Sequence, residues 1–556
     1  MAPYKVALAS GTRGNFRTKW NTRNSLVSRV DLIASNTNPL AASLLQALRL
    51  TSSDAGYAID LRLPEDSVEA YETSVYIPNT PDGDGMTPDL SEAQHVFQQR
   101  AGVQGRRFIL LSSALIYGTG PSRQSMVHED YVAGYRDRQP SISDQWRSLE
   151  AMAHESIDQA ALIILRPVTV LPSSSMLGRR LMRRFTVTLP GRDPVLQIMS
   201  PADLARAVLC AVEQGGPGIF NAAPDGAIPL HAAIRMAGNH RIPVPSALQR
   251  SVRRRDALDY LRYPWTVCNR KIKEHMGFRP QHSSLAALLE QRKSSGKRLV
   301  RERVFDDFGM DEDFIRSCTS TLFRFLCDFY WRIEAEGMEH VPRDGRAVLV
   351  GTHRGFVPWD AMMALHLVVR ETGRIPRFLT HPGLFKFPFI ASLMTRLGGV
   401  IACQESAERV LEGGGLVAIY PEGVRGAFAL HRNAYKIQPS WRNTFVKVAL
   451  RHRAPIVPFV NVGSADSLPV FAQIRSRTWT RYSDWPCIPL STFPFLPVPL
   501  PSKWHVRFLP PIYLERQHPR EAADDAAPVK EIGREVRCQM QQALEALVCQ
   551  RQSVFF

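Results

Sequence analysis

The sequence predicts two α/β domains built on parallel sheets, and three observations carry that expectation. The chain has 556 residues, too many for one ordinary core and enough for two of roughly 250 residues each. Short apolar runs with the length of buried strands recur in both halves, among them 107–111, 160–165, 347–351 and 415–419. The last two run directly into Thr352-His353-Arg354-Gly355-Phe356-Val357-Pro358-Trp359-Asp360 and Tyr420-Pro421-Glu422-Gly423-Val424-Arg425-Gly426. Charged, glycine-containing sequence at the carboxyl end of a parallel strand is where α/β sheets hold their chemistry.

Composition narrows the classes. Hydrophobic residues make up 44% and charged residues 22% of the chain, as in ordinary globular proteins. No run approaches the ~18 uninterrupted apolar residues of a membrane-spanning helix, and residues 1–5 lack the features of a signal peptide. The eight cysteines are scattered without a C-x-x-C pair, so reduced thiols are expected rather than disulfides or a zinc site, consistent with a cytoplasmic protein. The net charge of +17 implies an anionic partner: nucleic acid, an acidic membrane surface or a phosphorylated substrate. No nucleic-acid-binding motif is present, so nucleic acid is not expected.

In the first half, residues 5–9 read as a strand. Ser10-Gly11-Thr12-Arg13-Gly14-Asn15-Phe16-Arg17 follows, close to a phosphate-binding turn but with Arg17 in place of the third glycine. Gly11 and Gly14 are the candidate nucleotide-binding positions there. The strand at 107–111 leads to Ser112 and Ser113, the strand at 160–165 stops at Pro167, and 197–207 and 218–223 complete the series. In this order the set resembles the extended short-chain dehydrogenase/reductases, the NAD-dependent epimerase/dehydratase group, over residues 1–290. The resemblance implies a Rossmann-like parallel sheet and an NAD(P) site in which Ser113 matches the family's serine. The family's Tyr-x-x-x-Lys pair falls on Trp146 and Glu150. An indole cannot donate and recover a proton at neutral pH, and a carboxylate reverses the required charge. The expectation is a scaffold without its redox chemistry, with residual NAD(P) binding left open.

Residues 291–312 begin with the basic run Gln291-Arg292-Lys293-Ser294-Ser295-Gly296-Lys297-Arg298 and read as a linker. From 314 to 333, aromatic and aliphatic residues interleave with Arg316, Arg324 and Arg332. That pattern suits an amphipathic helix in a lipid headgroup layer, or a helix packed on the second domain.

In the second half, a His and a carboxylate a few residues apart can form a base and its orienting partner. A Pro-Glu-Gly-x-Arg turn can present a carboxylate and a guanidinium to a polar or anionic substrate. These blocks, with Leu397-Gly398-Gly399-Val400-Ile401 between them and Ala454-Pro455-Ile456-Val457-Pro458-Phe459 after them, resemble the glycerolipid acyltransferase family that includes the 1-acylglycerol-3-phosphate acyltransferases. The resemblance runs from about residue 315 to the C-terminus and implies an α/β acyltransferase domain, 313–556. It makes His353 the general base and Asp360 its orienting partner, with Glu422, Gly423 and Arg425 binding the acceptor's polar head or phosphate.

Two departures are visible. Six residues separate His353 from Asp360 where the family has four, and Gly355 and Pro358 are placed to turn the longer loop back. Gln404 stands where the family has a phosphate-binding arginine, and an amide lacks the cationic fork, which leaves room for a neutral acceptor alcohol. No Ser or Cys neighbours His353 as a nucleophile, so transfer is expected to be direct. The resemblance implies no cofactor or metal, an acyl-CoA or acyl-carrier protein donor, a glycerolipid acceptor and peripheral attachment to an anionic membrane at its cytoplasmic face. The basic residues Arg432, Lys436, Arg442, Lys447, Arg451 and Arg453 suit CoA phosphates or lipid heads. Two rivals remain at this stage: an NAD(P)-dependent oxidoreductase or epimerase acting through the first half, and a non-enzymatic membrane-associated regulatory protein.

Overall fold

The computed structural model describes residues 28–555 except 36–37, 53–56, 67–71, 81–85, 102–105, 121–125, 132–140, 172–180, 182, 245–259, 261, 295–305, 307, 356, 388, 484 and 493–497. The expected strand at 5–9, with Gly11 and Gly14, lies outside the described residues, as does most of the basic linker.

In the N-terminal half the order is β1 (Ser28–Ile33), α1 (Pro39–Ser52), β2 (Tyr57–Arg62), β3 (Thr73–Tyr76), β4 (Arg107–Leu111), α2 (Ile142–Ser156), β5 (Leu162–Pro167), β6 (Gly218–Ala222) and α3 (Ser284–Ser294). The six strands form one sheet in the order β6-β5-β4-β3-β1-β2, and every pair is parallel. Apart from Arg107 and Arg166, β4 and β5 are apolar along their length because a parallel sheet is covered on both faces. The strands β2 and β3 flank β1 on opposite sides, so the order reverses at β1. This is a doubly wound, Rossmann-like sheet whose ligand crevice belongs at the carboxyl end of β1.

The C-terminal half runs α4 (Glu312–Ser320), β7 (Glu334–Glu336), β8 (Ala347–Gly351), α5 (Trp359–Thr372), β9 (Arg377–Thr380), α6 (Ile390–Arg396), β10 (Gly399–Ile401), α7 (Gln404–Glu412), β11 (Leu416–Ile419), α8 (Gly423–Ala427), α9 (Thr444–His452), β12 (Ile456–Val462), β13 (Val470–Ile474), β14 (Ile488–Ser491), β15 (His505–Phe508) and α10 (Ala526–Gln550). Seven of these strands form a sheet ordered β7-β15-β12-β8-β11-β9-β10, while β13 and β14 pair separately as a two-stranded ribbon. Within the large sheet only the β12–β15 pairing is antiparallel.

Register decides what meets at the sheet's edge. Val350 lies beside Ile419, and Gly351 beside Phe459. The segments leaving β8, β11 and β12 therefore emerge side by side at one edge, although about 70 and 110 residues of chain separate them. Behind the sheet, α10 lays Val529, Ile532, Val536, Met540, Leu544 and Leu547 against the core at helical spacing.

The 314–333 segment divides by face. Ile315, Phe323, Leu326 and Trp331 enter the core, whereas Leu322, Phe325 and Phe329 stay exposed. Trp331 stacks on Trp504 with ring centroids 4.4 Å apart, and both are fully buried. The two halves touch through Glu405 of α7, which accepts from Arg270 Nε and Cys268 Sγ, each at 3.1 Å. Among the described residues no helix is long and apolar enough to cross a membrane, all eight cysteines are unpaired, and no group of His, Cys, Asp and Glu is arranged to hold a metal ion.

Truncating a fully buried aromatic leaves a cavity that its neighbours fill only in part. We expect Trp504→Ala to cost about 3–5 kcal/mol, read as a lower midpoint for the C-terminal domain in chemical denaturation. An unchanged midpoint would show that the Trp331–Trp504 stack does not hold the 314–333 segment to the sheet.

Candidate active site

The carboxyl ends of β8 and β11 carry the two blocks singled out in the sequence, and the structure joins them. His353 Nδ1 lies 2.8 Å from Asp360 Oδ2, so Gly355, at φ +86°, and the turn before α5 do close the longer loop. The same Asp360 oxygen accepts from the Arg354 backbone N–H at 2.8 Å, and Oδ1 accepts from Ala361 N–H at 2.8 Å. Asp360 is buried. An ionised carboxylate only accepts, so the imidazole donates from Nδ1 and keeps the lone pair of Nε2 free. The His353 side chain retains 16% exposure, enough to meet a substrate.

Arg354 and Glu422 form a second, fully enclosed pair beneath this one. Arg354 Nη1 donates to Glu422 Oε2 at 2.7 Å and to the His353 carbonyl at 2.7 Å. Its Nε donates to the Ala434 carbonyl and its Nη2 to the Lys436 carbonyl, at 2.5 and 2.9 Å. Glu422 Oε1 accepts from Gln438 N–H at 2.6 Å, and the Glu422 side chain has no exposed surface. In this structure Glu422 holds Arg354, and through it the backbone of His353. Gly423 adopts φ +55°, a conformation in which glycine alone is unstrained. At Gly426 an added Cβ would come within 2.5 Å of Glu422 Cβ and 3.2 Å of the His353 carbonyl, so the two loops approach each other only because this residue lacks a side chain.

Three groups near the pair were not among the sequence candidates. Asn461, on β12, donates from its backbone N–H to Thr352 Oγ1 and from Nδ2 to the Thr352 carbonyl, both at 3.2 Å. Thr352 thus anchors the entry to the His353 loop. The Tyr420 ring lies 5.0 Å from the imidazole. Its buried hydroxyl has no hydrogen-bond partner among the described residues, and burial, with the nearby Asp360 charge, raises its pKa well above the usual value. Arg354 was legible as a neighbour of His353; nothing local marked Asn461.

The remaining candidates lie elsewhere or face outward. Arg425, Arg432, Lys436 and Arg442 are exposed. The Arg442 N–H donates to the Pro421 carbonyl at 3.1 Å, which fixes this basic loop beside Glu422. Gln404 begins α7 after β10, three strands from β8 and hence about 14 Å away at ~4.8 Å per strand. Its amide donates to Glu408 at 2.7 Å. Burial pushes the neighbouring Cys403 thiol up to about 12, so it is no ready nucleophile.

In the N-terminal half, Ser113 accepts from Leu115 N–H at 3.2 Å and serves as a cap. Trp146 Nε1 donates to the Met86 carbonyl at 2.7 Å. Glu150 pairs with Arg166 at 2.6 Å and accepts from Ser112 Oγ at 2.6 Å. Arg166 continues to the Tyr117 hydroxyl at 2.8 Å, and Tyr117 donates to Asn221 at 2.7 Å. The position of a catalytic dyad is therefore a closed ionic network. The segment leaving β1, Ala34-Ser35-Asn36-Thr37-Asn38, has no glycine. Asn38 Oδ1 accepts from Leu40 and Ala41 N–H at 3.0 and 3.3 Å, taking the helix-end donors that a pyrophosphate uses. These residues do not fit a dinucleotide.

Comparison with known proteins gives two sets of relatives. The family model described as Acyltransferase matches residues 332–462. An uncharacterized protein of Mycobacterium tuberculosis is 34% identical over 269 residues, covering 47% of this chain and 74% of that protein. The human DGAT1/2-independent enzyme synthesizing storage lipids is 27% identical over 167 residues, 30% of this chain and 51% of that enzyme. Among solved structures, the human epimerase family protein SDR39U1 with NADPH is similar at 16% identity and TM-score 0.39, over 48% of this chain and 99% of that one.

Removing one partner of a buried ion pair strands the other charge. We expect Arg354→Met to cost about 3–5 kcal/mol in chemical denaturation, and Arg354→Met with Glu422→Leu to regain most of it. Equal losses in both variants would mean that Arg354 acts through packing rather than charge. For the N-terminal half, titration with NADH or NADPH is expected to leave both protein and nicotinamide fluorescence unchanged; saturable energy transfer would refute the misfit at β1.

Proposed function

We propose that the C-terminal half, whose residues 332–462 match the acyltransferase family model, moves a fatty acyl group from acyl-CoA or acyl-carrier protein to a glycerolipid hydroxyl, with His353 as general base. The observation that carries this reading is the 2.8 Å contact between His353 Nδ1 and Asp360, which leaves Nε2 free to accept a proton. The acceptor oxygen attacks the thioester carbonyl as Nε2 takes the hydroxyl proton. The C–S bond then breaks, and the carrier thiolate leaves with the proton that the imidazolium returns. Asp360 holds the tautomer and stabilises the transient imidazolium. The Arg354–Glu422 bridge holds the loop so that little reorganisation is needed.

The exposed Arg425, Arg432, Lys436 and Arg442 favour a donor or acceptor bearing phosphate. For the acceptor, the similarity to a human enzyme named for synthesizing storage lipids favours a neutral glycerolipid alcohol such as diacylglycerol over lysophosphatidate; Gln404, three strands from β8, does not bear on the choice. The charge of +17 favours work at the anionic cytoplasmic face of a membrane, to which the protein binds peripherally.

The test is transfer from radiolabelled palmitoyl-CoA, and from palmitoyl-carrier protein, to lysophosphatidate, other lysophospholipids, monoacylglycerol and diacylglycerol on vesicles. Loss of the base should lower the rate in His353→Ala by ~10²–10⁴-fold, with the largest wild-type rate on a neutral acceptor. Transfer that survives His353→Ala at the wild-type rate would falsify the mechanism.

A further inference from the structure

The ribbon of β13 and β14 stands apart from the seven-stranded sheet, and four of the five residues of β13 are exposed. An isolated two-stranded ribbon is marginally stable in water, and an apolar one is a liability unless something covers it. Here Ala472 pairs with Leu490 and Ile474 with Ile488. Residues directly opposite share a face, so these four side chains form one apolar surface. Phe471, at the irregularity in the register, is 64% exposed.

A second apolar element adjoins the ribbon. Phe387 lies 5.0 Å from Trp485 and 6.3 Å from Trp479, both in the segment that links β13 to β14. Two residues further on, Phe389 is 72% exposed and adopts φ +64°, a region an aromatic residue enters only when its surroundings hold it there. Ile390 and Leu393 of α6 are exposed beside it.

We propose that this surface, the β13–β14 ribbon with Phe389 and the start of α6, enters the headgroup layer of an anionic phospholipid bilayer and sets the mouth of the catalytic site against the lipid. The inference rests on the lipid-acyltransferase reading and deepens it. Three observations favour a bilayer over other occupants. Arg475 and Arg477, both exposed, directly follow the apolar strand, and Trp479 and Trp485 follow them; apolar bodies, indoles and guanidinium groups together suit the polar–apolar boundary of a membrane. The ribbon is continuous with the site: Gln473 Nε2 donates to the Phe428 carbonyl at 2.6 Å, the Phe428 ring lies 5.2 Å from Trp485, and Phe428 is the C-cap of α8, the helix that Glu422 opens. A second copy fits poorly, because a two-fold contact through this face would bring the arginines of both chains together.

The experiment is co-sedimentation of the full chain with vesicles of phosphatidylcholine alone or mixed with phosphatidylglycerol. It compares wild type, Phe471→Ser/Ile474→Ser/Leu490→Ser, Arg475→Gln/Arg477→Gln and His353→Ala. All the ribbon substitutions are at exposed side chains, and far-UV circular dichroism with thermal unfolding checks that each variant is folded. The serine variant should partition ~100-fold less onto either vesicle. The glutamine variant should lose about 30-fold on anionic vesicles and nothing on phosphatidylcholine, while His353→Ala binds as wild type does. Serine substitutions that leave vesicle binding intact would overturn the proposal, as would a wild-type dimer that they dissociate in analytical ultracentrifugation without a change in binding. Binding that depends on the ribbon in a protein inactive with every donor would instead retire the acyltransferase reading and leave the docking surface standing.

Discussion

The buried ion pair between Arg354 and Glu422 is the contact on which the arrangement of the C-terminal site depends. One partner follows β8 and the other follows β11, two strands adjacent in the sheet but far apart in the chain. A guanidinium and a carboxylate removed from water are costly unless every donor and lone pair is used. Here most are used: besides Glu422, Arg354 bonds the carbonyls of His353, Ala434 and Lys436, and Glu422 takes the Gln438 N–H. The backbone of His353 is thereby fixed from below while Asp360 fixes its ring from the side. The position and the tautomer of the imidazole are thus both set by the protein itself.

The N-terminal half keeps the doubly wound architecture and departs from its usual chemistry by the same device. Glu150 occupies the place of a cationic side chain, and Arg166 neutralises it within a network that includes Ser112, Tyr117 and Asn221. Within this network each named group already has a partner, which stabilises the carboxyl ends of the strands. At β1, Asn38 supplies from within the chain the acceptor that a bound phosphate would provide. What this half offers to the other is a contact: Arg270 and Cys268 meet Glu405 at the start of α7, the helix that also begins with Gln404.

Much of this was legible along the chain. The runs at 107–111, 347–351 and 415–419 became β4, β8 and β11, because strands covered on both faces must be apolar throughout. His353 and Asp360 are seven positions apart, near enough for a loop containing Gly355 and Pro358 to join them. The 314–333 segment was only half readable: its aromatics are interleaved closely enough to suit either burial or exposure, and the structure uses one face for each. Gln404 belonged to the same series of blocks as His353, yet strand order sets it three strands away.

By itself, then, the sequence determined the strand-forming runs, the α/β class of both halves, the pairing of His353 with Asp360, and the presence of Trp146 and Glu150 on one helix of the first half. Each of these depends on residue type and on spacing within about ten positions, the range over which backbone periodicity and loop closure act. The tertiary structure alone decided that Glu422 faces Arg354 rather than solvent, that Asn461 anchors Thr352, that Glu150 is matched by Arg166, and that four of the five residues of β13 are exposed. Those outcomes depend on which strands lie side by side and in what register. Register is settled by the packing of the whole sheet, so no local stretch of sequence contains it.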